Sequence, residues 1–168
     1  MSMRNMPQRV GEIAFLGSED APQFYFTTWA ANHAFEYPLA AKDFLSNCGS
    51  AAEAFFARPF TRRVGVQFLA DSPKTALADC YQMELQVHCA GYWIDAVVSD
   101  GRSSLAIEID GGMWHYMSRE KWAADYARQR RIVLKGHTVV RFTAIEVFKD
   151  PEECWRQIEI ILAARASL

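Results

Sequence analysis

No apolar run in the sequence approaches the ~18–20 residues that a membrane-spanning helix needs, so no span is expected. No basic start leads into an apolar stretch, so no secretory signal is expected either, and the chain reads as cytoplasmic. Glycine (9) and proline (6) are scattered, without the fixed period of a solenoid or propeller. A Gly-rich P-loop, a G-x-S-x-G elbow and an H-E-x-x-H pair are all missing, which removes the usual marks of NTPases, serine hydrolases and zinc proteases. The four cysteines, Cys48, Cys80, Cys89 and Cys154, form no C-x-x-C pair and have no histidine at metal-binding spacing. They read as small, mostly buried hydrophobes in a reducing compartment, not as a zinc site.

Charge of one sign is also lacking overall: 18 Lys+Arg stand against 20 Asp+Glu, a net −2. The distribution is uneven, however. Between Arg119 and Arg141 lie Arg119, Lys121, Arg128, Arg130, Arg131, Lys135 and Arg141 against only Glu120 and Asp125. Such a stretch serves either as a solvated helix face or as a footprint for phosphates.

With 168 residues, 51% of them hydrophobic, the chain is long enough to bury roughly 70% of its unfolded surface in one core. The first ~45 residues are the least regular. Phe24-Tyr25-Phe26-Thr27-Thr28-Trp29 has strand chemistry, and the segment 1–45 reads as an elaboration packed on a main domain, 46–168. Ser50-Ala51-Ala52-Glu53 is a capping box that predicts a helix from about Ser50. Pro59 predicts its end near Arg58, and Ser72-Pro73-Lys74 predicts a turn. Strands are predicted over Gln82–Cys89, Tyr92–Val98 and Leu105–Ile109, the last two joined through Asp100-Gly101. Ser118 caps a long helix to Lys135, stopped by Gly136. Thr138–Phe142 is a short strand, and Asp150-Pro151 opens a last helix with an apolar stripe of Trp155, Ile158, Ile161 and Leu162. The expected order is helix, three antiparallel strands, long helix, strand, helix: an α/β fold with a mixed sheet flanked by helices. The strand that follows the long helix is placed to pair in parallel.

Within the hairpin, Glu108 and Asp110 are two apart on one strand and share a face, roughly 6–7 Å apart. Any even loop length brings Asp95 to the same face; a four-residue loop, Asp100 to Ser103, sets Asp95 directly opposite Glu108. Like charges so placed destabilise a sheet, and burial raises their pKa values. A divalent cation relieves that conflict, and hard oxygen donors suit Mg²⁺ or Mn²⁺; a solvated edge hairpin is the plainer alternative. Gly111-Gly112 then lets the chain turn sharply, which brings His115 within range as a proton shuttle or leaves it as a packing residue beside Trp114. Asp125 and Arg128, three apart, read as a helix-surface ion pair.

The run Tyr92-Trp93-Ile94-Asp95, then Leu105-Ala106-Ile107-Glu108-Ile109-Asp110-Gly111, then His115, resembles the PD-(D/E)XK endonuclease superfamily. Asp125-x-x-Arg128 and Gly136-His137-Thr138-Val139-Val140-Arg141-Phe142-Thr143 are similar to its small, very-short-patch-repair-like branch, and Ser50–Glu53 fits that branch's first helix. The resemblance covers about residues 46–162. It implies a restriction-endonuclease-like fold and Mg²⁺- or Mn²⁺-dependent hydrolysis of DNA phosphodiesters by a nickase or a double-strand cutter; a two-strand cut would favour a homodimer. It implies Asp95 and Glu108 as metal ligands, with the Ile109 carbonyl beside them, and Glu53 as the holder of a water. His115 is implied as general base, with Asp110 second, because Asp110 stands where the superfamily usually has lysine. Arg119, Lys121, Arg128, Arg131, Lys135 and Arg141 would hold DNA phosphates. The alternative is a catalytically silent nucleic-acid-binding or assembly module with the same fold.

Overall fold

The computed structural model describes residues 39–111 and 118–166. Its elements are α1 (Leu39–Leu45), α2 (Ala51–Thr61), β1 (Gln67–Leu69), β2 (Ser72–Ala78), β3 (Tyr81–Cys89), β4 (Tyr92–Ser99), β5 (Ser104–Asp110), α3 (Arg119–Val133), β6 (Thr138–Thr143), α4 (Ala144–Lys149) and α5 (Pro151–Ala166). The six strands form one sheet in sequence order. β1 to β5 are antiparallel neighbours, and β6 joins β5 in parallel after the α3 crossover.

Ser50 caps α2 as its sequence position suggests, with its hydroxyl accepting from the Glu53 N–H. The other half of the expected box is not made there, because the Glu53 carboxylate is engaged elsewhere (see below). α2 also runs through Pro59 to Thr61 instead of ending at Arg58. An interior proline costs about 3 kcal/mol, and burial of Phe60 and of Pro59 itself offsets it.

The sheet is wider than the sequence suggests, with β1 and β2 preceding the three strands expected. Ser72-Pro73-Lys74 is the start of β2 and not a turn; the reversal comes one step earlier, between the paired Leu69 and Ser72. Short side chains give β2 little strand propensity of its own. Its place is set by partners: Ala76 and Ala78 are buried in the core, and the Pro73 carbonyl accepts from the Asn47 side chain at 3.2 Å.

Alternation along β4 and β5 divides the sheet into two covered faces. Ala96, Val98, Leu105 and Ile107 join a large core with Phe44, Phe56, Phe60, Val147, Trp155, Ile158 and Leu162, from α1, α2, α4 and α5. Trp155 stacks on Phe56, and its indole N–H donates to the Phe56 carbonyl at 2.6 Å. On the opposite face Ala106 and Ile94 meet Ile132 of α3. Of the segment read as an N-terminal elaboration, α1 lies in the main core through Phe44 and Leu45, while 1–38 fall outside the described residues. The cysteines are less uniform than expected: Cys154 is buried, Cys48 and Cys89 are partly buried, and Cys80 is exposed.

Candidate active site

The β4–β5 connection is the four-residue loop Asp100–Ser103, with Ser99 paired to Ser104. The Asp100 carboxylate accepts from the backbone N–H groups of Arg102 and Ser103 and sets this turn. From the pair Ala96↔Ile107, one further residue along each strand sets Asp95 opposite Glu108. Glu108 alternates with Ile107 and so lies, with Asp110, on the face that α3 covers.

Two arginines meet these acids. Arg128 of α3 donates through Nη2 to both Glu108 oxygens at 2.7 and 2.8 Å, and to the Trp93 carbonyl at 2.7 Å. Arg141 of β6 grips Asp110 with Nε and Nη2, at 2.9 and 2.8 Å, and reaches Asp125 with Nη1. The parallel register that sets Arg141 beside Glu108 and Thr143 beside Asp110 makes this reach possible. Asp125 and Arg128 therefore each pair with the sheet or its neighbour and not with each other, as their spacing alone suggested.

Asp95 accepts from the Ile109 N–H through Oδ2 at 2.7 Å. The Glu53 carboxylate, brought in from α2, accepts from the Gly49 N–H at 2.7 Å and from the Gln86 amide at 2.6 Å. Gly49 is needed there: a Cβ would lie 3.2 Å from both Gln86 Nε2 and Glu53 Oε1. Gln86 itself has a positive φ of 50°. The β3–β4 ladder breaks beside it, between Leu85↔Ala96 and Val87↔Ile94, opposite Asp95. On either side of Asp95 the strand packs differently: Ile94 lies towards α3, while Ala96 lies in the main core.

Burial pushes the Asp95 carboxyl up to about 6; the charges of Glu53 and Asp110 add to this, while the Ile109 N–H and Arg128 oppose it. Burial likewise pushes Glu108, which is 6% exposed, up to about 7; Asp95 adds, and Arg128 and Arg141 oppose. Cys48 lies in the same field, its thiol held protonated by burial and by the Glu53 and Asp95 charges. The donor set fits a hard cation in kind: carboxylate oxygens that raise one another's proton affinity gain from a shared positive charge. In the arrangement seen, Arg128 occupies both Glu108 oxygens, and among the described residues no group of three His, Cys, Asp or Glu side chains is disposed around one point.

Asp95, Glu108, Asp110 and Glu53 thus belong to one electrostatic cluster, with Ile109 joined through its amide. His115 lies outside the described residues. Of the basic residues, Arg119, Lys121 and Lys135 are exposed along or just beyond α3. Arg131 donates to the Tyr92 hydroxyl at 2.9 Å, while Arg128 and Arg141 are taken up by carboxylates. Gln86 and Gly49 carried no signal read in advance beyond the loose alternation of the β3 stretch.

The REase_MTES_1575 family, a restriction-endonuclease-like family, matches residues 74–162. The chain belongs to this restriction-endonuclease-like family. Membership supports a PD-(D/E)XK-like nuclease and agrees with the six-stranded mixed sheet flanked by helices. The match does not single out the very-short-patch-repair-like branch, and it begins after α2, so Glu53 lies outside it. The comparisons with curated proteins and with solved structures find no match. No helix among the described residues of this nuclease-like chain is long and apolar enough to cross a membrane.

Proposed function

We propose that the chain is a divalent-metal-dependent DNA endonuclease that hydrolyses phosphodiester bonds at the Asp95–Glu108 cluster. The observation that supports this most is the buried Glu108 carboxylate on β5 with the partly buried Asp95 carboxylate on the neighbouring β4, inside the family-matched region, where desolvation raises the proton affinity of both. Asp95, Glu108 and the Ile109 carbonyl would hold Mg²⁺ or Mn²⁺, with Glu53 holding a water at the α2 side. When bound, the cation supplies Lewis acidity towards a phosphate oxygen and towards water, and a counter-charge for the leaving oxygen. Asp95 is oriented for its part by the Ile109 N–H, and Glu53 by Gly49 and Gln86. Arg128 holds both Glu108 oxygens in place and opposes the protonation that burial favours, until a ligand competes for the carboxylate. Asp110 is gripped at both oxygens by Arg141, so its candidacy as general base falls behind that of His115. Arg119, Lys121, Arg131 and Lys135 would contact flanking phosphates, and affinity should then fall steeply with salt.

The second reading, a silent binding or assembly module in the same fold, is favoured by one observation: both Glu108 and Asp110 already have arginine partners and do not need a cation for neutrality. Plasmid cleavage with Mg²⁺, Mn²⁺ or EDTA, wild type beside Asp95→Ala, separates the two. Metal-dependent nicking or linearisation that disappears in the variant supports the nuclease. Absence of cleavage, together with Mn²⁺ binding that is unaffected by Asp95→Ala, supports the module.

A further inference from the structure

Two residues before Asp95, on the same strand, stands an aromatic side chain that the proposed chemistry does not use. Trp93 is 58% exposed, although tryptophan in a strand is usually placed to bury its ring. It is held firmly at its base. Its carbonyl accepts from Arg128, the same guanidinium that grips Glu108. Its strand partner across the ladder is His88, whose ring lies 5.2 Å away at 60°. The hairpin end is tight, because Ala90 and Gly91 both have positive φ, 55° and 86°, the form of a two-residue turn that matches strand twist. From β2, the Lys74 ammonium stands 5.4 Å from the Trp93 ring centroid. On the other side of the strand, Tyr92 carries the guanidinium groups of Arg128 and Arg131 at 5.7 and 6.0 Å. The hairpin end therefore presents an exposed, fixed aromatic ring among cations, beside the acidic cluster.

An aromatic surface flanked by cations is how proteins hold single-stranded nucleic acid: the ring stacks on a base of any sequence and the cation meets its phosphate. The two-residue step from Trp93 to Asp95 is roughly 6–7 Å along a strand, comparable to the span from a base to its own backbone phosphate. A fully paired duplex keeps its base faces stacked on one another and offers none to Trp93.

We propose that Trp93, with Lys74 and His88, is a stacking platform for an unpaired base of the DNA whose backbone lies at the Asp95–Glu108 cluster. This rests on the nuclease reading and narrows its substrate class to DNA with an unpaired or displaced base next to the scissile phosphate. The preference comes from the protein's own strand geometry: Trp93 and Asp95 are two residues apart on β4, so a base stacked on the one sets its phosphate beside the other.

The test uses two DNAs of one sequence with 2-aminopurine at a single position, unpaired within a gapped duplex or paired within a continuous one. Binding is measured by anisotropy and by 2-aminopurine fluorescence in EDTA, where nothing is cut. The wild type is expected to bind the gapped DNA about tenfold more tightly than the continuous duplex, on the scale of one base–aromatic stack, and to quench the unpaired 2-aminopurine. Trp93→Ala should lose both the preference and the quenching, and Trp93→Phe should retain most of each. A Trp93→Ala protein with unchanged melting temperature, preference and quenching overturns the platform. Equal wild-type affinity for both DNAs without quenching overturns it too and leaves the nuclease reading standing. Failure of the wild type to bind either DNA overturns the platform, and the plasmid-cleavage assay with Mg²⁺ or Mn²⁺ then decides the nuclease reading separately.

Discussion

Glu108→Gln tests whether burial or the Arg128 pair governs this carboxylate. Unfolded, Glu108 ionises near the ordinary value of 4.5; folded, burial holds it to about 7. Below pH 4.5 it is protonated in both states and does not affect stability. Between those two values the folded protein binds the proton that the unfolded chain has lost, so wild-type stability falls as pH rises, and the loss is complete above about pH 7. At about 1.4 kcal/mol for each tenfold difference in proton affinity, the separation from 4.5 to about 7 amounts to about 3 kcal/mol. Arg128 opposes this, but the Glu108 side chain is only 7% exposed and its desolvation is the larger effect. Gln copies the shape of the protonated acid and still offers Arg128 an acceptor. Glu108→Gln should therefore match the wild type near pH 4.5 and exceed it by about 2–3 kcal/mol at pH 8. Urea unfolding followed by tryptophan fluorescence across this pH range, with the m-value checked for constancy, gives the difference directly. A variant that loses more than about 1 kcal/mol at pH 8 would refute the reasoning, because the ion pair with Arg128 would then outweigh the cost of burial.

Arg141→Met removes the one guanidinium shared by Asp110 and Asp125, both mostly buried. Two carboxylates are then left without it, and a loss of about 2–4 kcal/mol at neutral pH is expected in urea unfolding, narrowing on acidification. Gly49→Ala places a Cβ 3.2 Å from Gln86 Nε2 and Glu53 Oε1; it should cost about 1 kcal/mol and, if Glu53 holds a water, reduce turnover more than Mn²⁺ affinity, as read by cleavage beside calorimetry. Trp155→Phe keeps the aromatic stack but leaves the buried Phe56 carbonyl without its indole donor, and thermal or urea unfolding should show a loss of about 1–3 kcal/mol.

Much of the fold follows from local patterns. The caps at Ser50, Ser118 and Asp150, the stop at Gly136 and the stripe of α5 mark helix ends and faces within a few residues, because each depends only on near neighbours in the chain. The strand that carries Glu108 and Asp110, and the parity that brings Asp95 to it, are equally local, since side chains alternate with period two. β1 and β2 were not legible. Their residues have weak strand propensity, and the pairing with β3 and the packing of α1 and α2 supply what the local sequence lacks. The extension of α2 through Pro59 has the same origin, because core burial outweighs a local penalty.

The sequence by itself determined that the strand carboxylates Asp95, Glu108 and Asp110 come together: their order, spacing and strand periodicity are properties of the chain. Only the tertiary structure decided their partners. Arg128 reaches Glu108 across 20 residues, Arg141 reaches Asp110 across 31, and Gln86 reaches Glu53 across 33. Each pairing depends on where the α3 crossover places its helix, on the parallel register of β6, or on the break in the β3–β4 ladder. Spacing along the chain carries none of these distances, because they are set when the two layers of helices close on the sheet and exclude water from its acids.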